Sequence, residues 1–428
     1  TNGIDALETI NESEVDLVFL DEMMPGMGGL EVLSKIKERD PNIPVVMVTK
    51  NEEEYVMVDA IGSKIDDYLT KPVNPSQVLL VCKKILDRKK ISTEYVAKDY
   101  LHDFNQISFL LMNQPDHQDW IEIYLKLVNW DIELDAHPEI GLRQTLNEQK
   151  KECNKEFSRY VEKHYKNWVH TRNKIDRPIL TVDIVNDYVF PALQEKDTPV
   201  FFFVLDCLRY DQWLVMEKLL TDDFKIDKTF YYGILPSATS YSRNALFAGL
   251  YPSEIEQYYP DLWYGNDEDE NSMNKYEKDL LHLQLERKRI NLRNDLKFVK
   301  VIDPEYGRNF EHNIRSYKNT HLTAVVINFL DMVAHGRSDS DLLKEIAPDE
   351  PAYRSLTNSW FSHSYLISTF KAIAAMGKAK VVITTDHGSI RALRGAKVLG
   401  DREASSNLRF KYGRNLKVDD KHAVFIKD

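Results

Sequence analysis

The chain has 428 residues, 43% of them hydrophobic and 29% charged, an ordinary globular composition too long for one hydrophobic core, so two or three domains are expected. Its 56 basic residues against 68 acidic ones leave a formal net charge of −12, which argues against an output that binds duplex DNA by neutralising phosphates. Cys82, Cys153 and Cys207 are scattered, with neither a signal peptide nor an apolar run of about 18 residues, so the expectation is a cytoplasmic protein without disulfides or a membrane segment.

The chain opens at Thr1 inside a helical pattern, GIDALETI, and stops in HAVFIKD, an apolar strand pattern, so further elements are expected beyond each end. Residues 1 to about 90 alternate short strands with amphipathic helices. VDLVFLD (15–21), IPVVMVTK (43–50) and DYLTKP (67–72) read as strands. GGLEVLSKIKER, EEEYVMVDAIGSKI and PSQVLLVCKKILDRKK read as helices, the last ending in a basic cluster. Such alternation, with strands apolar throughout, implies a parallel sheet covered on both faces.

From about 91 to 196 the strand signal stops. Between Pro138 and Pro178 there is no proline and one glycine, Gly141. Apolar residues recur at helical intervals (Phe104, Ile107, Leu111, then Ile121, Tyr124, Leu125, Val128), which predicts a helical bundle or spacer. A third region, 197–428, returns to α/β character, with strands in PVFFFVLD (199–206), TAVVINFLD (323–331) and KVVITTD (380–386). DEDEN (267–271) reads as a solvated acidic loop.

In parallel sheets, functional side chains collect at the carboxyl ends of strands. In the first region these ends carry Asp21, Thr49 and Lys71. Asp21 precedes the glycine-rich MMPGMGG, which leaves its carboxylate exposed, and Lys71 precedes Pro72, where a cis peptide is cheap. A carboxylate, a hydroxyl and an ammonium at one rim suit transient phosphorylation of the carboxylate. LDEMMPGMGG, VTK and YLTKP, in that order, closely resemble the receiver domain of bacterial response regulators, a flavodoxin-like doubly wound sheet whose first strand would precede this sequence. The resemblance implies that Asp21 is the phospho-acceptor, Thr49 the switch hydroxyl, Lys71 the phosphate partner and Tyr68 the aromatic that rotates. It also implies Mg2+ at the phosphorylation site, for which Asp21 and the Met23 carbonyl are the ligands within this sequence.

In the third region FFFVLD ends on Asp206, VVINFLD on Asp331 with His335 four residues later, and VVITTDHGSI on Asp386 and His387. Each alone is an ordinary strand end or helix cap. Together they form a good ligand set for Zn2+ or Mn2+. LPSATSYSRNALFAGLYPS (235–253) offers Ser and Thr hydroxyls at the head of a helix, where the dipole favours a phosphate. Asp, then PxxT, then Asp-x-x-x-His, then Asp-His, in that chain order, resembles the alkaline phosphatase superfamily; VLDCLRYDQW and SATSYSRNALFAGL resemble its PglZ branch.

A receiver (1–90), a helical spacer (91–196) and a PglZ domain (197–428) is the layout of PorX-type response regulators, which are associated with control of type IX secretion. That resemblance implies two Zn2+. One would be held by Asp206, Thr239, Asp386 and His387, with Thr239 as nucleophile; the other by Asp331, His335 and a further histidine expected beyond Asp428, since His422 lacks the family's glycine-rich context. Arg243 and Asn244, one turn past Thr239, are candidate phosphate contacts. Sulfatase chemistry is excluded by the lack of a CxPxR-like motif.

The implied activity is a phosphodiesterase acting on small cyclic or linear oligonucleotides, with monoesterase action second. The implied partners are a sensor histidine kinase and a second copy in a phosphorylation-dependent homodimer. The competing reading is a zinc-binding scaffold that contacts an ECF-type sigma factor without turnover. A DNA-binding regulator is disfavoured by the charge and by the absence of a helix-turn-helix signature.

Overall fold

The computed structural model describes residues 2–13, 15–50, 65–171, 173–195, 197–263, 274–390, 392, 395–401, 410–418 and 423–424. The helix expected over EEEYVMVDAIGSKI, the acidic DEDEN, His422 and most of the HAVFIKD strand lie outside them. The chain divides into two compact units, residues 1–109 with 137–143, and residues 110–136 with 144–428. No helix among the described residues is long and apolar enough to cross a membrane.

In the first unit, helix α1 (Gly3–Glu12) starts on Asn2, whose side chain accepts the Ile4 and Asp5 N–H groups. Strands β1 (Val18–Asp21), β2 (Val45–Thr49) and β3 (Asp67–Thr70) pair in parallel in that order. Helix α2 (Gly29–Arg39) buries Val32, Leu33 and Ile36 against Leu20, Val45 and Met47. Val46, one residue on, points to the opposite face and packs with Leu69 and Val81 of helix α3 (Pro75–Cys82). Apolar residues on both faces are what a parallel strand between helices requires.

The helix expected to close this region at its basic cluster does not stop there. After α3 the backbone passes through one wider π-type turn, Lys83–Asp87, and continues as α4 (Arg88–Met112). No proline or glycine occurs between Pro75 and Pro115, so nothing in DRKK breaks the helix.

In the second unit, helix α5 (His117–Ala136) buries Trp120, Ile123, Leu127, Asp131 and Leu134. The period is the expected one, but the buried face is turned relative to the Ile121, Tyr124, Leu125, Val128 stripe, and Tyr124 is 46% exposed. α5 has apolar residues on both sides, and an ion pair to Arg354 draws Asp131 inward. Helix α6 (Arg143–His170) follows.

The second unit is built on a parallel sheet ordered β5-β6-β4-β7, with β4 at Val200–Leu205, β5 at Lys297–Val301, β6 at Leu322–Ile327 and β7 at Lys380–Thr384. β5 was not expected from the sequence, because Lys297 and Lys300 interrupt its apolar run as befits an edge strand. Chain order then gives helices α7 (Tyr210–Glu217), α8 (Thr239–Ala248), α9 (Pro252–Tyr258), α10 (Glu277–Arg287), α11 (Pro304–Asn313), α12 (Phe329–Asp339), α13 (Asp341–Ile346), α14 (Glu350–His363) and α15 (Tyr365–Ala374). Phe202 and Val204 of β4 meet α8 and α10 through Leu246, Phe247, Leu280 and Leu281. Phe201, Phe203 and Leu205 face the other way onto Phe310, Phe361 and Phe370. Leu205 lies opposite Ile327, and Val204 opposite Thr384, so β4, β6 and β7 end at one rim.

Candidate functional site

In the first unit, register brings the three expected side chains to one rim. Asp21 lies opposite Val48, Thr49 lies opposite Thr70, and Lys71 follows at once. Lys71 Nζ pairs with Asp21 Oδ2, while the Met23 N–H donates to Asp21 Oδ1 at 3.1 Å. Burial acts to raise the Asp21 pKa, but the Lys71 ammonium and the Met23 N–H outweigh it and hold the carboxyl below its usual range. The Lys71–Pro72 peptide is cis. Thr49 is buried at its strand end, and Tyr68 is 37% exposed on β3. The loop after Asp21 returns close enough that a Cβ on Gly29 would lie 2.3 Å from the Asp21 carbonyl oxygen, so only glycine fits there.

In the second unit, Asp206 follows the last residue of β4, with its N–H bonded to Ile327 O at 2.9 Å. Asp386 and His387 lie just past the end of β7, and all three side chains are buried. Thr239 is the first residue of α8. His387 Nε2 lies 2.9 Å from Thr239 Oγ1, 3.7 Å from Asp206 Oδ1 and 4.0 Å from Asp386 Oδ2. Ligand atoms at tetrahedral angles about a zinc-sized ion stand about 3.3 Å apart, which these spacings bracket.

Asp206 Oδ1 and Asp386 Oδ2 are buried without a hydrogen-bond partner, which is costly for a carboxylate unless a cation takes it. Burial first, and then the Asp206 charge, push the Asp386 pKa well above the usual carboxylate range. His387 Nδ1 lies 3.0 Å from the Gly388 carbonyl, an arrangement that puts the proton on Nδ1 and the lone pair on Nε2. These groups fit a divalent cation.

Asp331 does not end a strand. β6 stops at Ile327, Asn328 caps the next helix, and Asp331 lies in the first turn of α12. Its carboxylate still joins Asp206 and His387, the three offering ligand atoms within 4.8 Å of one another. His335, one helical turn on, places Nε2 3.5 Å from Asp331 Oδ1 and is 66% exposed. A helix brings an Asp-x-x-x-His pair within reach of one ion, whereas four residues of strand would hold the two about 13 Å apart.

The two expected phosphate contacts are turned inward. Arg243 is buried, with Nη1 donating to Asp206 Oδ2 at 2.6 Å and Nε bonded to Glu277, so it compensates buried carboxylates instead of opening to a substrate. Asn244 is also buried and donates to the Ser240 carbonyl at 2.8 Å.

Sequence reasoning missed the residues behind the cluster. Cys207 takes a left-handed conformation (φ 63°) that points its N–H at Asp386 Oδ1, 3.3 Å away. Its thiol is pushed up to about 12 by burial, followed by the Asp331 charge. Glu277, Asn274 and Lys300 sit behind Arg243, and their sequence surroundings carry no pattern that marks them.

Three family models match the chain in order: a response regulator receiver domain over residues 1–83, a PorX response regulator linker domain over 90–169, and a BREX system PglZ alkaline phosphatase-like domain over 184–428. That order matches the PorX-type architecture. The transcriptional regulatory protein SrrA of Staphylococcus aureus (strain NCTC 8325 / PS 47) is 30% identical over 118 residues, covering 28% of this chain and 48% of SrrA. The chain thus spans about half the length of the curated relatives it matches. Among solved structures, the receiver domain of NtrX from Brucella abortus is 33% identical, covering 20% of this chain and 73% of its own, with a TM-score of 0.19. The Thermotoga maritima response regulator DrrB is 35% identical, covering 20% and 39%, also at 0.19.

Proposed function

The chain belongs to the PglZ family of alkaline phosphatase-like domains, set behind a receiver and a PorX-type linker, and from that premise we propose a response regulator whose output is a zinc-dependent phosphodiesterase acting on cyclic or linear oligonucleotides. The observation that carries this reading is the convergence of Thr239 Oγ1 and His387 Nε2, 2.9 Å apart, on two buried carboxylate oxygens that lack a partner.

Asp206, Thr239, Asp386 and His387 would hold one Zn2+, and Asp331 with His335 would contribute to a second. Bound there, zinc supplies a lowered pKa for the threonine hydroxyl and charge compensation for the phosphate. Thr239 provides the attacking oxygen. Because it opens α8, the free N–H groups of that first turn favour a phosphate oxygen beside the hydroxyl. Gly388 O fixes the His387 tautomer, and the Cys207 N–H holds the second oxygen of Asp386.

In the receiver, a sensor histidine kinase phosphorylates Asp21 with Mg2+ bound, Lys71 and Thr49 hold the phosphoryl oxygens, and Tyr68 reports the change. Pairing of two chains follows, in a pathway that controls type IX secretion. The test is hydrolysis of bis-p-nitrophenyl phosphate and of short linear and cyclic oligonucleotides with zinc supplied. Thr239→Ala is expected to lower turnover at least about 1,000-fold. Bound zinc without turnover by the parent on any of these would replace the enzyme with a metal-binding scaffold.

A further inference from the structure

Behind the ligand cluster lies a buried carboxylate that the chemistry above does not use. Glu277, the first residue of α10, is 0% exposed. Its Oε1 accepts from Arg243 Nε and from Asn274 Nδ2 at 2.9 Å, and Lys300 Nζ lies 2.7 Å from its Oε2. Two arms run from this hub into the site. Arg243 Nη1 donates to Asp206 Oδ2 at 2.6 Å, and Asn274 Nδ2 lies 3.3 Å from the carbonyl oxygen of Thr239. Lys300 Nζ also donates to the Asn274 carbonyl at 2.6 Å, which closes the network on itself.

We propose that Glu277 is a positioning residue: through Arg243 it keeps Asp206 Oδ1 turned into the ligand cluster, and through Asn274 it fixes the backbone of Thr239, so that the centre is organised before a cation arrives. The proposal rests on the reading of the cluster as a metal site. An aspartate has two oxygens, and a donor on Oδ2 from behind leaves Oδ1 for the ligand side.

Charge makes the same demand. Arg243 pairs with both Asp206 and Glu277, and Lys300 pairs with Glu277. Remove the charge of Glu277 and the Arg243 fork is released. It then faces Asp206 and Asp386 alone and competes with the ion for them.

The experiment uses the full chain stripped of metal, with zinc affinity measured by competition against a chromophoric chelator. Glu277→Gln is expected to weaken zinc binding about 10- to 100-fold while circular dichroism and cooperative unfolding are retained. A purely structural ion pair would lower thermal stability and leave the affinity of the folded protein unchanged, and that result overturns the proposal. Should Glu277→Gln fail to fold, Arg243→Lys carries the test. It keeps a buried cation that reaches one carboxylate but not both, so weakened binding supports the brace and parental affinity refutes it. Asn274→Ala separates the second arm: kcat on bis-p-nitrophenyl phosphate falls with zinc affinity within about threefold of the parent, whereas unchanged kcat removes that arm. A parent chain that binds no zinc removes the ligand reading itself, an outcome distinct from a parent that binds and variants that bind equally.

Discussion

Replacing Arg354 with methionine tests how α5 is held to the sheet of the second unit. Arg354, on α14, is 3% exposed, and its guanidinium reaches Asp131 at 3.1 Å, Asp211 at 3.0 Å and Asp135. Methionine keeps most of the volume and drops the charge, so carboxylates from α5 and α7 lose a buried partner. Breaking a buried pair from one side costs about 3–5 kcal/mol. Two neighbours place this case at the low end, about 3 kcal/mol. Arg209 remains on Asp211, and Lys150 Nζ lies 3.2 Å from Asp131 Oδ2.

The assay is urea unfolding followed by tryptophan fluorescence, with the slope required to stay constant. Lys344→Met, which breaks an exposed pair with Asp341, is the control and should cost about 0–1 kcal/mol. A loss within that same range for Arg354→Met, with unchanged slope, would refute the idea that this ion cluster holds α5 in place.

Zinc binding should release a proton, because burial and the Asp206 charge raise the Asp386 pKa and the ion takes the ionised form. Affinity therefore falls as pH drops below that raised value, by up to about tenfold per unit. Calorimetry in buffers of different ionisation heat reads the proton directly, and equal heats would contradict it. Ellman's reagent at pH 8 should find one rapidly reacting thiol, Cys82, which is half-buried; Cys153 and Cys207 are buried with thiols pushed up to about 11 and about 12. Rapid labelling that survives Cys82→Ser would be the contrary result. Gly29→Ala places a Cβ 2.3 Å from the Asp21 carbonyl oxygen and should cost about 1–3 kcal/mol, read as a lowered receiver Tm; a parental Tm would contradict the close approach.

The two parallel sheets were legible because β2 and β4 are apolar on both faces, and a strand of that kind has one home. The metal-competent cluster was legible too, since Asp206, Asp386 and His387 follow strands that end at one rim. Boundaries were harder to read. Asp331 continues an apolar run, yet Asn328 starts a helix three residues earlier. DRKK resembles a helix terminus, yet nothing stops the helix there.

The inward turn of Arg243 could not be read at all. Its partner Glu277 is 34 residues away, and no spacing rule links a residue in α8 with the first residue of α10. The buried face of α5 was misplaced for a related reason: what buries Asp131 is an arginine 223 residues away.

The measurement that bears most directly on the central claim is the zinc content of the full chain after exhaustive dialysis, by elemental analysis, for the parent and for His387→Ala. His387 Nε2 stands 2.9 Å from the Thr239 hydroxyl and faces both unpartnered carboxylate oxygens, so its loss should remove one tightly held zinc per chain from a folded protein. Equal zinc in the two proteins would show that the cluster at Asp206, Thr239, Asp386 and His387 is not where the metal sits.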